Sequence, residues 1–563
     1  MKNNYIGIAT KDENTLIVWE RFSHTEPRKV VHYDAPRYFF IPDEEGEFKS
    51  MYGHNLKKLT FESDIEVKAA QRRYPLTFES DFTPEDRILM DQYYDLPPPP
   101  LNYAFFDIET LVTRGSGFVK PKDATAPINA ITFYKQWQNK YITLALPPPG
   151  TSTDLFEIDL TEYGYDNVDL TLKLFKSETE LLRALLVEIE DIDLLSGWNS
   201  ENYDLPYIHN RIALVLGDTA TRGLNYPGTK KTYVRDRTFN GREEVQVILQ
   251  GRQHVDYLDM FKKFTFEGRE SFSLNSIAET ELGAQKLDYE GNLGDLYRNE
   301  FQKFVAYNII DVVLVKQIDD KFRFVNLINQ MAHENTVKFA AILGTTKYID
   351  TGITNYAINK LNLRVKDNPT GSHGKVEGAI VLTPNVGLHE WVGSVDINSL
   401  YPSVIRSLNL SPEKVVGQFD TIQTQTEVEE DPILGPLLKQ SAKKNNDTDG
   451  FIMACARERD WAGIVAKDNK PHTLHLEDGT SLTYTGEEWN QFLREMNWAI
   501  SAFGTVLDQS GSVGIVAQVL GFWYTERKRL QKELKVWKKK LESLEIEGIS
   551  LDEEMLKELN ETK

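Results

Sequence analysis

Asp107 and Glu109 stand two residues apart at the end of an apolar run, Tyr103-Ala104-Phe105-Phe106. Alternate side chains of a strand share a face, so both carboxylates point the same way. A third acid, Asp204, closes Gly197-Trp198-Asn199-Ser200-Glu201-Asn202-Tyr203-Asp204, where a second expected strand passes into a helix with Leu205-Pro206-Tyr207-Ile208. A fourth, Asp311, ends Tyr307-Asn308-Ile309-Ile310-Asp311. Helical residues four apart share a face, which aims Tyr307 and Asp311 together. Each piece alone is commonplace, because an Asp-Ile-Glu triplet is usually a solvated strand end. Three such pieces, each following an apolar run, form a more specific set. Oxygen-only ligands suit hard divalent cations such as Mg²⁺ or Mn²⁺ rather than zinc.

Asp396 offers a second centre. It follows Trp391-Val392-Gly393-Ser394-Val395, an expected strand, and opens Asp396-Ile397-Asn398-Ser399-Leu400-Tyr401-Pro402-Ser403. A single Asp cannot by itself hold two metal ions. Asp447-Thr448-Asp449 supplies two acids, but Lys443-Lys444-Asn445-Asn446 precedes it and it reads as a solvated loop.

The elements that must position these groups follow from patterning. Tyr5–Ala9 and Thr15–Trp19 read as a strand pair, and Pro97-Pro98-Pro99-Pro100 as a stiff boundary. Ser177 to Ile189 reads as a capped amphipathic helix and Asp191 to Trp198 as a strand, an alternation that suggests mixed α/β structure. Asn240-Gly241 between Thr238-Phe239 and Val245-Gln246-Val247 marks a hairpin. Residues from about 320 to 365 look helical, Gly378 to Val395 β-rich, and Asp420 to Asp449 a polar insertion. Phe522 to Leu544 reads as a basic helix with an apolar stripe at Leu530, Leu534, Trp537, Leu541 and Leu544.

The 563 residues are enough for several units of about 150 residues each. No run of about 18 apolar residues offers a membrane span, and the first residues lack the apolar core of a signal peptide. Cys455 is the sole cysteine, so no internal disulfide forms and a reducing, cytoplasmic setting fits. The net charge of −21 argues superficially against nucleic acid. Metal-dependent nucleases, however, concentrate Asp and Glu, and net charge does not describe the charge of a groove.

The carboxylate pattern resembles the 3′→5′ proofreading exonucleases with three Asp, one Glu and a Tyr. That resemblance implies that Asp107, Glu109, Asp204 and Asp311 hold two Mg²⁺ or Mn²⁺ ions and that Tyr307 orients the attacking water. The Asp396 stretch resembles the first catalytic motif of family B DNA polymerases. Val30-Val31-His32-Tyr33, Tyr52-Gly53-His54-Asn55, Asp256 to Phe264, Tyr307 to Asp311 and Asn409-Leu410-Ser411-Pro412-Glu413 extend the likeness, which is closest to the T4-like phage type. It implies a mixed α/β multidomain fold: an RNase H-like exonuclease domain plus an incomplete family B palm and fingers. The implied layout is an N-terminal domain over 1–100, the exonuclease domain over 101–323 and a return segment over 324–366. A partial palm over 367–513, with an insertion at about 420–495, and the first part of the fingers over 514–563 complete it.

In that resemblance Asp396 is catalytic and Asp396 and the Ile397 backbone face metal. Ser399, Leu400 and Tyr401 contact the nucleotide, Tyr401 as the gate against a 2′-hydroxyl, and Arg527 grips the triphosphate through its fork of donors. The sequence departs from the family at Gln531, where a Lys is common, and at Glu377, where an aromatic or Pro is. It holds neither the family's finger motif nor its second Asp-bearing motif. The expectation is therefore the N-terminal portion of a replicative DNA-directed DNA polymerase, one subunit of a split enzyme with its own exonuclease. Synthesis would need a complementary chain carrying the rest of palm, fingers and thumb, with two further ions at the completed site. Expected partners are single-stranded DNA, primer–template, deoxynucleoside triphosphates and that chain, with a sliding clamp only through it and no membrane. A phage-encoded chain would act in the host cytoplasm. The alternatives are a free-standing exonuclease and a non-enzymatic RNA-binding regulator.

Overall fold

The apolar run before Asp107 becomes the fourth strand of six, Tyr103–Thr110, in a computed structural model of the protein. The structure describes residues 4–111, 119–151, 156–165, 168–239, 242–284, 286–289, 291–368, 386–397, 399–419, 463–501 and 504–547, with backbone alone for 236–239, 242–244 and 541–547. Tyr103–Thr110 runs antiparallel to Ile128–Lys135 and parallel to Leu194–Ser196. Lys140–Ala145 and Leu170–Leu174 extend the sheet on one side, Gln253–His254 on the other. Alternation sorts its side chains between two cores. Ala104, Phe106 and Ile108 pack with Leu181, Leu182 and Leu185 of helix Glu178–Glu188 and with Leu205, Ile208 and Ile212 of helix Asp204–Leu216. Phe105 packs on the opposite face with Phe304, Val305 and Val312 of helix Phe301–Phe322. Asp107 and Glu109 therefore fall on the face covered by that helix. A register shift at Glu109 and Thr110 ends the regular ladder beside the acids.

This sheet lies in a compact unit of Met1–Phe48, Asn55–Lys360 and Arg364–Asp367. Tyr5–Thr10 and Thr15–Glu20 pair antiparallel as the sequence indicates, with Lys29–Asp34 as third strand. The segment after Phe322 is helical and packs back on the first strand, where the Tyr5 hydroxyl donates to Val337 O at 2.7 Å. Tyr233–Phe239 and Arg242–Ile248 pair in the expected hairpin register, Phe239 opposite Arg242; Asn240 and Gly241 lie outside the described residues.

The second unit comprises Lys49–His54, Leu361–Leu363 and Asn368–Lys563. Its antiparallel sheet runs Ser481–Thr485, Pro471–Leu476, Val415–Phe419, Thr505–Asp508, Trp498–Ile500. Helix Gly486–Met496 buries Trp489 against it, and the indole donates to His472 O at 2.8 Å. The described end of the segment read as an insertion is thus woven into this sheet; 420–462, including Asp447 to Asp449, lie outside the described residues, as does Glu377. The basic C-terminal segment is one helix, Ile515–Glu547.

One expectation is corrected. Trp391–Val395 forms no strand, and Trp391 and Val395 are almost fully exposed. A strand persists only where lateral neighbours take up its N–H and C=O groups, and among the described residues none pairs with this run.

The Asn409-Leu410-Ser411-Pro412-Glu413 run has a physical role here. Gly514 N donates to Asn409 Oδ1 at 2.7 Å, Ile515 N to Glu413 Oε1 at 2.5 Å and Val516 N to Ser411 Oγ at 3.1 Å. Three orphan donors at the start of the long helix are thereby satisfied. Losing such a cap costs about 1 kcal/mol. Asn409→Ala and Glu413→Ala should each speed hydrogen–deuterium exchange in the first helical turn about fivefold, with no change in helix Gly486–Met496.

Candidate active site

The site forms where the sheet meets helix Phe301–Phe322. Oxygen atoms of Asp107, Glu109 and Asp311 lie within 4.8 Å of one another. Asp204, first residue of its helix, turns in from the neighbouring strand and accepts the Ile108 N–H at 3.1 Å. Glu109, Asp204 and Asp311 are buried. The four expected acids are thus assembled, three as one cluster and Asp204 beside the Asp107–Glu109 backbone.

Asn308, between Tyr307 and Asp311 on the same helix, fixes Asp107. Its amide donates to Asp107 Oδ2 at 2.8 Å while its oxygen accepts the Thr132 hydroxyl at 2.6 Å. Its relation to Asp311, three residues on along one helix, was a usable sign. Lys286 left no sign at all. It sits in an irregular stretch, bonds Asp311 and reaches the Tyr307 hydroxyl at 3.5 Å. The Tyr307 ring also meets Tyr289 edge-on, centroids 5.4 Å apart.

Such crowding shifts every acid upward. Burial, then the charges of Asp204, Asp311 and Glu109, lift Asp107 well above the usual carboxylate range. Burial and Asp311 push Glu109 up to about 8. Burial, partly opposed by the Ile108 N–H, takes Asp204 to about 7. Asp311 is raised by burial while Lys286 pulls it down. Burial works against the Lys286 charge, but Asp311 and Tyr307 hold its ammonium above the ordinary value.

The residues fit a divalent cation on their own terms. Asp311 Oδ1 is buried without a hydrogen-bond partner, a costly state for a carboxylate oxygen unless a ligand meets it. The donors are all hard oxygens, as Mg²⁺ and Mn²⁺ require.

The second expected centre is not assembled among the described residues. Asp396 and Ile397 lie exposed in an irregular run. Ser399 takes a left-handed conformation before helix Leu400–Ser407, whose first turn carries Leu400 and Tyr401, the latter 70% exposed. Arg527 lies exposed on the long helix, and Asn398 is outside the described residues. Helix Leu400–Ser407 does meet that long helix: the Arg406 guanidinium lies 5.1 Å from the Tyr524 ring centroid.

Two family models match this architecture: the exonuclease domain of DNA polymerase family B over residues 58–277, and DNA polymerase family B over residues 327–548. The chain is 34% identical over 335 residues to a DNA-directed DNA polymerase of Escherichia phage RB69, covering 57% of this chain and 36% of the relative. It is 30% identical over 448 residues to that of Enterobacteria phage T4, covering 74% and 48%. A DNA polymerase delta catalytic subunit of Plasmodium falciparum is 27% identical over 377 residues, covering 63% and 31%. The mixed α/β fold thus carries the exonuclease-domain and polymerase signatures of family B. The chain belongs to family B of the DNA polymerases and spans between about a third and a half of the length of the two phage relatives. No helix among the described residues is long and apolar enough to cross a membrane.

The raised carboxylates set a pH dependence. Unfolded, Asp and Glu titrate near 4; folded, Asp204 and Glu109 titrate near 7 and 8. The folded state therefore holds more protons across this window. The contribution of these two acids to metal-free stability is full below about pH 4 and is lost as pH rises through about 7 to 8. Thermal melts in chelator should show a lower Tm at pH 8.5 than at pH 6, and Mn²⁺ should raise Tm more at the higher pH. Asp107→Asn should raise the chelator Tm at pH 8.5 by roughly 2–4 °C and remove most of the Mn²⁺ effect.

Proposed function

We propose that this chain hydrolyses DNA from the 3′ end, as the proofreading exonuclease of a replicative DNA polymerase. The observation that carries the reading is the buried cluster of Asp107, Glu109 and Asp311, with its partnerless Asp311 oxygen and Asp204 alongside. Asp107, Glu109, Asp204 and Asp311 would hold two Mg²⁺ or Mn²⁺ ions. When bound, such ions supply an activated water and neutralise the leaving oxygen of a phosphodiester. The chain's own groups do the rest. Asn308 orients Asp107, and the Ile108 N–H orients Asp204. The Tyr307 hydroxyl, kept protonated by burial and Asp311, would donate to or accept from the attacking water. The Lys286 ammonium is the one cation in direct contact with the set among the described residues and offsets its repulsion.

The same reading gives the second unit half of a polymerase site. Asp396 and the Ile397 carbonyl would face metal, Ser399, Leu400 and Tyr401 the nucleotide, and Arg527 its triphosphate. A second carboxylate-bearing segment on a complementary chain, with the rest of palm, fingers and thumb, would complete it, bringing two further ions and any sliding-clamp contact. Primer–template and deoxynucleoside triphosphates are the substrates of that assembly, in a host cytoplasm if the chain is phage-encoded. The domain division at residues 100, 323, 366 and 513 belongs to the same proposal. The exposure of Asp396, set against the assembled nuclease cluster, favours one narrower alternative, a free-standing exonuclease.

Purified chain with Mn²⁺ should shorten a 3′-labelled single-stranded oligodeoxynucleotide from its 3′ end. Asp107→Ala and Asp311→Ala should each lower the rate more than about 100-fold, beyond the loss typical of residues that only orient a ligand, with oligonucleotide binding retained. Cleavage by both variants at the parental rate would refute the site.

The 563 residues alone should extend no primer, because Asp396 meets no second carboxylate among the described residues. Adding the complementary chain should restore extension, and Tyr401→Ala should then raise ribonucleotide incorporation. Robust extension by the single chain would remove the half-site reading; failure of every complementation, with nuclease activity intact, would leave the free-standing exonuclease.

A further inference from the structure

Asp204 reaches the acidic cluster from a loop, Gly197 to Tyr203, and that loop is tied to the Tyr233–Ile248 hairpin by an unbroken chain of side chains. Arg235, exposed on the hairpin, donates from Nε to Gln246 Oε1 at 2.6 Å. Gln246 Nε2 donates to Glu201 Oε1 at 2.7 Å. The other oxygen of Glu201 lies 3.0 Å from His254 Nδ1, and His254 Nε2 lies 3.0 Å from Ser200 Oγ. Ser200 then passes into the helix that begins at Asp204, because its carbonyl accepts the Leu205 N–H at 3.0 Å.

Glu201 accepts only, so it holds a proton on His254 Nδ1. The Ser200 hydroxyl lies between His254 Nε2 and Gly197 O, to which it donates at 3.2 Å. The Ser–His–Glu order imitates a nucleophilic triad, but Ser200 is 0% exposed and no substrate reaches it. Its hydroxyl is a link and not a nucleophile. Asp256 holds the same loop from below: its carboxylate accepts Asn199 N at 3.0 Å and Glu201 N at 2.8 Å while capping helix Tyr257–Phe264. Gly197 leaves the loop no slack, since a Cβ there would stand 2.5 Å from Phe106 O. The loop is therefore pinned at its base by Asp256 and the sheet, and on its outer side by the hairpin through Glu201.

We infer that Arg235, Gln246, Glu201, His254 and Ser200 form a positioning relay that couples the hairpin to the placement of Asp204. A shift of the hairpin pulls Glu201, then His254 and Ser200, and moves the start of the Asp204 helix. Hydrolysis at the cluster thereby depends on residues that touch neither metal nor substrate. The inference rests on the exonuclease reading of the site.

The test uses the full chain, a 3′-labelled single-stranded oligodeoxynucleotide and a Mn²⁺ titration under single-turnover conditions. Glu201→Ala and Gln246→Ala should each lower the maximal rate, or raise the Mn²⁺ concentration for half-maximal rate, by roughly 10-fold. The Glu201→Ala/Gln246→Ala double variant should be no worse than Glu201→Ala alone, because both cut one chain. Glu201→Gln keeps one acceptor for His254 but turns an amide N–H against the Gln246 amide, so its loss should match that of Gln246→Ala. Parental rate and Mn²⁺ dependence in Gln246→Ala and Glu201→Ala would overturn the relay, and so would losses that simply add. If Glu201→Ala does not fold, Gln246→Ala, at a half-exposed position, decides alone. Asp204→Ala is measured alongside. An inactive Asp204→Ala beside an unaffected Gln246→Ala rejects the relay only, whereas parental cleavage by Asp204→Ala rejects the exonuclease assignment and the relay with it.

Discussion

Negative charge gathered out of water is the constraint around which the first unit is built. Asp107, Glu109 and Asp311 converge in one cluster with Asp204 beside it; burial raises all four, and repulsion within the set adds to it at Asp107 and Glu109. Isolated buried carboxylates would protonate or relax toward solvent. They stay because three rigid elements deliver them: a central strand carries Asp107 and Glu109, the first turn of a helix Asp204, and the middle of a 22-residue helix Asp311. Two apolar cores, one on each sheet face, oppose the repulsion.

A second layer of polar contacts fixes the rotamers that packing alone leaves free. Thr143, Thr132 and Asn308 lead by hydrogen bonds to Asp107. Asp319, buried in the same long helix as Asp311, accepts the Tyr257 hydroxyl at 3.0 Å and the Val325 N–H at 3.2 Å. It thereby ties that helix to the one that Asp256 caps. Such fully engaged networks suit a site whose donors must be set before a cation arrives.

The second unit shows the converse. Its antiparallel sheet and the capped start of the long helix are well packed, but the Trp391–Ile397 run has no neighbouring strand among the described residues. One carboxylate in water is stable where it stands and draws nothing toward it. The difference between the two centres is therefore a difference in how many elements converge on them.

The sequence by itself determined what short-range periodicity can encode. Two-residue alternation aimed Asp107 and Glu109 to one face, helical spacing aligned Tyr307 with Asp311, and apolar runs marked the strands that carry them. The tertiary structure alone decided the contacts between segments distant in the chain. Lys286 meets Asp311 from an irregular stretch with no period to reveal it. Glu201 meets His254 and Gln246 across 53 and 45 residues. The apolar pattern of Trp391–Val395 read as a strand, yet a strand exists only with a lateral partner, and partners are chosen by the fold. Local geometry follows from φ, ψ and spacing; which charges face one another follows from packing, which no local window contains.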